Sequence, residues 1–190
     1  LVPGGRRATG RGIALALAEA GADVAICYRR DAEAAEETLA MLSAHGRAQG
    51  YVASVDNWAD DEALIKKVVA DFGSLSILVN NAGMSSRGQL VAEQDPAETS
   101  RVLGLNALAP FYLSTLAMPH LRAAPRGDII MISSTVTKTL PARTGPYAMS
   151  KAGLEALATV IGKEEAHNNI RCNVASPGLT VTDMGRRMAK

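Results

Sequence analysis

The sequence of 190 residues has only two cysteines, Cys27 and Cys172, which lie far apart along the chain. Its three histidines are also scattered, so no group of residues has the spacing of a zinc or other metal site. These absences argue against a disulfide framework and against a metalloenzyme. We therefore expect reduced thiols, no bound metal and a cytoplasmic location.

An excess of charge of one sign is lacking as well. The 20 lysines and arginines nearly balance the 19 acidic residues, which gives a net charge of +1. Such a chain has no long-range field to attract nucleic acid or an anionic membrane. The longest apolar stretch, 102–118, contains Asn106, Pro110, Ser114 and Thr115, which favours a buried helix over a membrane span. We expect neither nucleic acid nor a membrane as a partner.

Apolar residues make up 47% of the chain and charged residues 21%, as in an ordinary globular protein, and we expect one domain over residues 1–190. Short apolar runs predict strands at 1–2, 23–27, 48–54, 76–79, 128–133 and 171–175. Helical spacing predicts helices at 12–20, 32–44, 60–72, 97–121 and 146–167. This alternation predicts an α/β fold with a parallel sheet covered on both faces. Ligands bind such sheets at the carboxyl ends of the strands.

A glycine-rich turn follows the first predicted strand and leads into an apolar helix. Small residues there let the backbone approach a pyrophosphate, whose charge is stabilised by free N–H groups and the helix dipole. The candidate cofactor-binding residues of this turn are Gly4, Arg7, Ala8, Thr9 and Gly10. No Gly-Lys-Ser or Gly-Lys-Thr follows, which excludes a Walker-type loop. The alternative is a turn that only permits tight packing.

The second strand ends in Tyr28, Arg29 and Arg30, where an enzyme that prefers NAD usually has a carboxylate. Guanidinium groups can hold the 2′-phosphate of NADP through charge-assisted hydrogen bonds, and Arg7 could reach the same phosphate. We therefore predict NADP(H) as the cofactor. The alternative is that the two arginines form a solvated turn before Asp31.

Tyr147 and Lys151 lie four residues apart at the start of a predicted helix, which places the phenol and the ammonium on one face. A nearby cation favours the phenolate, so we expect Lys151 to lower the pKa of Tyr147 towards neutrality. The tyrosine could then act as a general acid or base. The alternative is a half-buried tyrosine beside a lysine whose stem packs on the surface.

Other polar residues occur at predicted strand ends or inside apolar helices. Ser133 and Ser134 close one strand, the segment 80–83 (Asn-Asn-Ala-Gly) closes another, and Asn106 lies in an apolar helix. A hydroxyl at a strand end can polarise a carbonyl, and a buried amide needs partners. Each of these residues alone also suits a turn or a local backbone hydrogen bond.

Taken together and in this order, these motifs and the later segment 176–178 (Ser-Pro-Gly) resemble the short-chain dehydrogenase/reductase family over essentially the whole chain. The resemblance implies that Tyr147 is the general acid/base and that Lys151 lowers its pKa and holds the nicotinamide ribose. It implies that Ser134 orients the substrate oxygen, that Ser133 is structural, and that Asn106 positions a water for proton relay. Further cofactor-binding residues implied by the family are Asn80, Ala82, Gly83, Pro177, Gly178 and Thr182.

The resemblance further implies a Rossmann-type doubly wound sheet and hydride transfer between NADP(H) and a ketone or alcohol, with a 3-oxoacyl thioester as one candidate substrate. Long apolar faces on the helices at 97–121 and 146–167 lead us to expect a homodimer or homotetramer. A non-catalytic NADP(H)-binding regulator or scaffold on the same fold stays open as an alternative. A sugar-nucleotide epimerase or dehydratase would need a larger C-terminal domain.

The sequence departs from the family pattern at three places. Pro3 replaces a threonine, which removes a hydroxyl and an N–H from the turn, and Ser54 replaces an aspartate that meets the adenine. We also expect the last helix and strand of the family, which follow the Pro-Gly loop, to be missing from this chain. Leu1 and Val2 are expected to be the end of a strand whose earlier residues are absent.

Overall fold

The computed structural model describes residues 1–182, in which six strands alternate with helices. The strands are β1 (Val2–Pro3), β2 (Val24–Tyr28), β3 (Ala48–Val52), β4 (Ile77–Asn80), β5 (Gly127–Ile132) and β6 (Ile170–Ala175). The α-helices are α1 (Ala8–Glu19), α2 (Ala32–Leu42), α3 (Trp58–Phe72), α4 (Pro96–Leu103), α5 (Ala109–Ala123), α6 (Val136–Thr139) and α7 (Gly145–Glu165). The predicted α/β alternation is confirmed.

The strands form a parallel sheet in the order β3-β2-β1-β4-β5-β6. Two backbone hydrogen bonds of Leu1 connect the half of the sheet formed by β1, β2 and β3 to the half formed by β4, β5 and β6. The nitrogen of Leu1 donates to the Ile77 carbonyl (2.7 Å), and the nitrogen of Val79 donates to the Leu1 carbonyl (2.9 Å). This is the order of the Rossmann-type doubly wound sheet, and it reverses between β1 and β4, where such sheets bind ligands.

Helices cover both faces of the sheet because successive strand residues point to opposite sides. In β2, Ala25 and Cys27 pack in the core with α3, α5 and α7, whereas Val24 and Ile26 pack in the core with α1 and α2. All strands run in one direction, so their carboxyl ends lie at one edge of the sheet. The loops that carry the predicted site residues leave from that edge.

The predicted helix 97–121 is interrupted in the structure. Residues Gly104–Leu108 form a π-helical turn between α4 and α5, and the buried Asn106 lies inside it. The continuous stretch Pro96–Ala123 is long and apolar enough to cross a membrane by composition alone. Its Val102, Leu113 and Leu121 are fully buried, and a core helix of a globular protein has the same composition.

Candidate active site

A cleft of about 360 Å³ lies at the carboxyl edge of the sheet, around the point where the strand order reverses. The glycine-rich turn, the segment after β4, the end of β5, the start of α7 and the segment after β6 all contribute to its walls. The predicted site residues among its lining are Gly4, Arg7, Ala8, Thr9, Gly10, Ala82, Gly83, Ser134, Tyr147, Lys151, Pro177, Gly178 and Thr182. The structure therefore brings most of the predicted site together.

The glycine-rich turn is packed too closely for side chains at Gly10. A Cβ there would lie 2.3 Å from the carbonyl oxygen of Gly4 and 2.7 Å from the amide nitrogen of Asn81. The next small residue of the motif, Ala8, has a left-handed backbone with φ +51°, which costs an L-residue about 1–2 kcal/mol. The turn thus holds its shape against some backbone strain at the start of α1.

Two side chains that were not predicted from the sequence donate hydrogen bonds to the backbone of this turn. Thr38 on α2 is fully buried and donates to the carbonyl of Arg6 at 2.6 Å. Arg11 donates to Thr38 Oγ1 (2.7 Å) and to the same carbonyl of Arg6 (3.2 Å). Their positions on two helices give no local sequence signal, because the contact depends on how α1 packs on α2.

Tyr147 and Lys151 share one face of α7, and both are almost fully buried. The Nζ atom of Lys151 donates to the carbonyl of Ile132 (2.7 Å) and lies 5.9 Å from the centre of the Tyr147 ring. Burial lowers the pKa of Lys151 to about 8. The predicted pairing on one helix face is therefore present.

The predicted direction of the Tyr147 pKa is wrong in this structure. Burial raises the pKa of the phenol, and a hydrogen bond with Ser134 acts in the opposite direction without overcoming it. The net shift is upward although the Nζ atom of Lys151 lies 5.9 Å from the centre of the ring. The phenol is consequently in its protonated form at neutral pH, which is the form that donates a proton.

The two serines at the end of β5 point to different places, as successive residues of an extended chain do. Ser134 lines the cleft and hydrogen-bonds with Tyr147. Ser133 is buried and donates to Glu155 Oε1 at 2.7 Å. The sequence prediction placed Ser134 beside the tyrosine and Ser133 in a supporting position, and the contacts have this arrangement.

The wall formed by the segment after β4 is fastened at two points. Asn106 Nδ2 donates to the carbonyl of Met84 (2.8 Å), and the nitrogen of Met84 donates to Asn106 Oδ1 (2.8 Å). Further along, the nitrogen of Arg87 donates to Oε1 of the buried Glu98 at 2.5 Å. Gly83 allows the close approach, since a Cβ there would lie 3.1 Å from Asn106 Oδ1.

Asn80 and Asn81 occupy different environments, and the sequence prediction chose the one further from the cleft. Asn80 is buried and donates to Ser114 Oγ (3.2 Å) in the protein core. Asn81 lines the cleft and donates to the carbonyl of Pro3 at 2.9 Å, which joins the ends of β1 and β4. The alternation of side chains at a strand end would have indicated that only one of the pair faces the ligand side.

The predicted cofactor-binding residues at the end of β2 and directly after it, Tyr28, Arg29 and Arg30, lie outside the lining of the cleft. Arg29 is 60% exposed and lies 4.0 Å from the carboxylate of Asp56, and Arg30 is exposed. Tyr28 is partly buried, with its ring over Gly50. The hydroxyl of Ser54 donates to Asp56 at 2.6 Å.

The sequence model of the short chain dehydrogenase family matches residues 1–190 of the chain. The chain belongs to this family. It is 36% identical over 188 residues to the 3-oxoacyl-(acyl-carrier-protein) reductase of Staphylococcus aureus. The aligned region covers 97% of this chain and 75% of that protein. It is 32% identical over 191 residues to the L-fucose dehydrogenase of Bos taurus, covering 100% of this chain and 68% of that one.

Among solved structures, an NAD⁺-bound xylitol dehydrogenase superposes with a TM-score of 0.93 at 28% identity, covering 98% of this chain and 72% of that chain. A family member with these relatives is an oxidoreductase that acts between CH–OH and carbonyl groups. The cleft fits the nicotinamide cofactor of the family, because Gly4, before α1, and Gly10, in its first turn, leave a bare backbone cradle at the amino end of the helix.

Proposed function

We propose that this protein is an NADPH-dependent carbonyl reductase in the cytoplasm, with 3-oxoacyl thioesters as the first substrate class to test. The observation that carries the proposal is the presence of Ser134, Tyr147 and Lys151 in one cleft with the glycine-rich turn. The name of the Staphylococcus aureus relative favours the 3-oxoacyl substrate. The two cysteines are free, and Cys27 is buried, which agrees with an environment that keeps thiols reduced.

The chemistry divides between the cofactor and the residues of the cleft. The nicotinamide supplies or accepts the hydride when it is bound. Ser134 and Tyr147 hold the substrate oxygen through their hydroxyl groups, and the protonated phenol gives its proton to that oxygen during reduction. Lys151 places an ammonium beside the phenol and stabilises negative charge that develops on it. The phenol of Tyr147 is protonated at neutral pH, which is the form that reduction requires.

The central test is the variant Tyr147→Phe, which removes the proton donor and keeps the ring. We expect the rate of NADPH oxidation with a panel of ketones and 3-oxoacyl thioesters to fall by about 10²–10⁴-fold. NADPH binding, followed by fluorescence, should stay within about threefold of the unchanged protein. If the unchanged protein binds NADPH but reduces no compound of the panel, the cofactor-binding regulator or scaffold becomes the better interpretation.

We propose NADPH over NADH because Arg29 and Arg30 follow β2 with exposed guanidinium groups. The double variant Arg29→Ala/Arg30→Ala should weaken NADPH binding by roughly 10-fold or more, since charge-assisted hydrogen bonds to a phosphate are lost. NADH binding should change by less than about threefold, because NADH has no 2′-phosphate. Equal losses for both cofactors, measured by titration calorimetry, would contradict the assignment.

We also propose that copies of the chain associate, as a homodimer or homotetramer, through α5 and α7. These helices expose large apolar side chains, each about half accessible, which an isolated chain leaves in water. The side chains are Phe111, Met149 and Val160, with Leu108 at the end of the π-helical turn directly before α5. Isologous pairing of one such face would bury them in a symmetric interface.

A further inference from the structure

Glu155 lies one helical turn beyond Lys151 and two turns beyond Tyr147 on α7. Its Oε1 atom accepts hydrogen bonds from Ser133 Oγ (2.7 Å), Thr137 Oγ1 (2.8 Å) and Ser176 Oγ (3.4 Å). Its Oε2 atom lies 3.5 Å from Lys138 Nζ. One carboxylate thus accepts hydrogen bonds from three hydroxyl groups and forms an ion pair with a lysine.

The three hydroxyl groups come from three different segments at the carboxyl edge of the sheet. Ser133 follows β5 and directly precedes Ser134, Thr137 belongs to α6, and Ser176 follows β6 and directly precedes the Pro-Gly loop. Two of these segments are also bonded to each other, because the nitrogen of Thr135 donates to the carbonyl of Pro177 at 3.1 Å. Glu155 therefore connects the helix of Tyr147 to the segments on two other sides of the cleft.

A carboxylate suits this position better than a neutral group. Burial raises the pKa of Glu155, but hydrogen bonds from Ser133 and Thr137 and the charge of Lys138 more than offset burial, so the net pKa is lowered. The group stays ionised, and each hydroxyl that donates to it makes a charge-assisted bond. Because adjacent residues of an extended chain point in opposite directions, a bond that fixes Ser133 also fixes the direction of Ser134.

We infer that Glu155 is a positioning residue of the reaction, which fixes Ser133 and thereby holds Ser134 at the distance from Tyr147 that the substrate oxygen requires. This inference rests on the proposed function, since it assigns Ser134 and Tyr147 to the substrate oxygen. Glu155 itself lines no part of the cleft and acts only through Ser134 and the segments around it. A displacement of a positioned group by about 1 Å can cost on the order of 10²-fold in rate.

The test compares Glu155→Ala, Glu155→Gln and the control Glu164→Ala, an exposed acidic residue of the same helix. Glu155→Ala should lower kcat with the best ketone by about 10–100-fold. Glu155→Gln keeps an acceptor oxygen and should recover most of that loss, to within about threefold of the unchanged enzyme. Glu164→Ala should have no effect on kcat. A loss in Glu155→Ala that is fully explained by the fraction of unfolded protein would overturn the inference.

A second comparison shows whether Glu155 acts through Ser134. In the background of Ser134→Ala, the change Glu155→Ala should cause no further fall in kcat, because the positioned hydroxyl is already gone. If the double variant instead lowers kcat by the product of the two separate effects, Glu155 supports the fold independently of Ser134, and the inference is wrong.

Amide hydrogen exchange provides a readout that needs no turnover. In Glu155→Ala, exchange at the amides of Thr135 and Val136 should be at least about tenfold faster, while exchange in β2 should not change. If the unchanged protein reduces no ketone, only the proposed function is contradicted. Unchanged exchange at Thr135 and Val136 would remove the positioning role of Glu155, whatever the activity.

Discussion

The carboxylate of Asp61, in the first turn of α3, is fully buried, and neither of its oxygens accepts a hydrogen bond from residues 1–182. Burial raises its pKa to about 8, and repulsion from Asp56 and Asp60 acts in the same direction. An aspartate of the unfolded chain loses its proton near its usual pKa of about 4. Since the folded state keeps the proton longer, the free energy of unfolding should fall as pH rises from about 4 to about 8.

The variant Asp61→Asn tests this account, because an amide of similar shape does not titrate. Near pH 4 the variant should be about as stable as the unchanged protein, and near pH 9 it should be more stable by about 5 kcal/mol, because the two pKa values differ by about four units at about 1.4 kcal/mol each. Urea unfolding at several pH values measures the difference. Glu36→Gln, at an exposed carboxylate on α2, serves as the control and should keep the fall in stability with pH seen in the unchanged protein. If the free energies of unfolding of Asp61→Asn and of the unchanged protein change with pH in the same way, the pKa argument is wrong.

At the residue scale, the sequence predicts which groups meet but not their protonation. The spacing of Tyr147 and Lys151 predicts a shared helix face, and the structure has it. The pKa of Tyr147 depends on the burial of the phenol and on its hydrogen bond with Ser134, and both come from the way other elements pack around α7. The spacing of residues along the sequence indicates neither the burial of the phenol nor its hydrogen-bond partner.

At the element scale, the π-helical turn between α4 and α5 matters because it carries Asn106 to the backbone of Met84. A third bond runs from Asn106 Nδ2 to Ser150 Oγ on α7 at 3.0 Å. The side chain thus ties three elements together: the α4–α5 helix, α7 and the wall after β4.

Replacement of Asn106 by alanine should therefore destabilise the protein by about 2–4 kcal/mol, because the nitrogen and carbonyl of Met84 both lose their partner. Chemical denaturation measures the loss. Ser100→Ala, at an exposed hydroxyl that bonds only to its own helix, should change stability by less than about 0.5 kcal/mol. A loss below about 1 kcal/mol for Asn106→Ala would mean that other groups replace these bonds.

Helix and strand positions could be predicted to within a few residues, because the apolar periodicity of this chain is regular. The prediction for 60–72 began two residues late, since Asn57 caps α3 by accepting from the nitrogens of Ala59 and Asp60. The π-helical turn was missed because one extra residue in a turn barely alters the apolar pattern. The short helix α6 was missed because one of the bonds that hold it, from Thr137 to Glu155, joins residues far apart in sequence.

At the scale of the whole molecule, the exposed apolar side chains of α5 and α7 predict association. Phe111→Asp should reduce the molecular mass measured by light scattering at micromolar concentration to that of smaller assemblies, because a charge would be buried in the interface. Met41→Asp on α2, at a side chain of similar exposure, should leave the mass unchanged. A single chain in solution before any substitution would contradict the proposal outright.

The α/β class followed from the sequence, but the strand order did not. Parallel strands with helical crossovers allow many orders, and the placement of β1 between β2 and β4 depends on the two bonds of Leu1 with Ile77 and Val79. The family resemblance supplied the order that residue patterns alone left open. Substrate choice stays out of reach of both, because it depends on side chains that face one another only in the folded cleft.

The two-point attachment of the segment after β4 has a consequence for the range of substrates. With Met84 held by Asn106 and Arg87 held by Glu98, the backbone on this side of the cleft is restrained at two points. We expect a larger or smaller side chain at position 84 to change the depth available to a bound molecule directly, because these bonds oppose a compensating shift of the loop. New specificities on this side can therefore arise from single substitutions, one side-chain volume at a time.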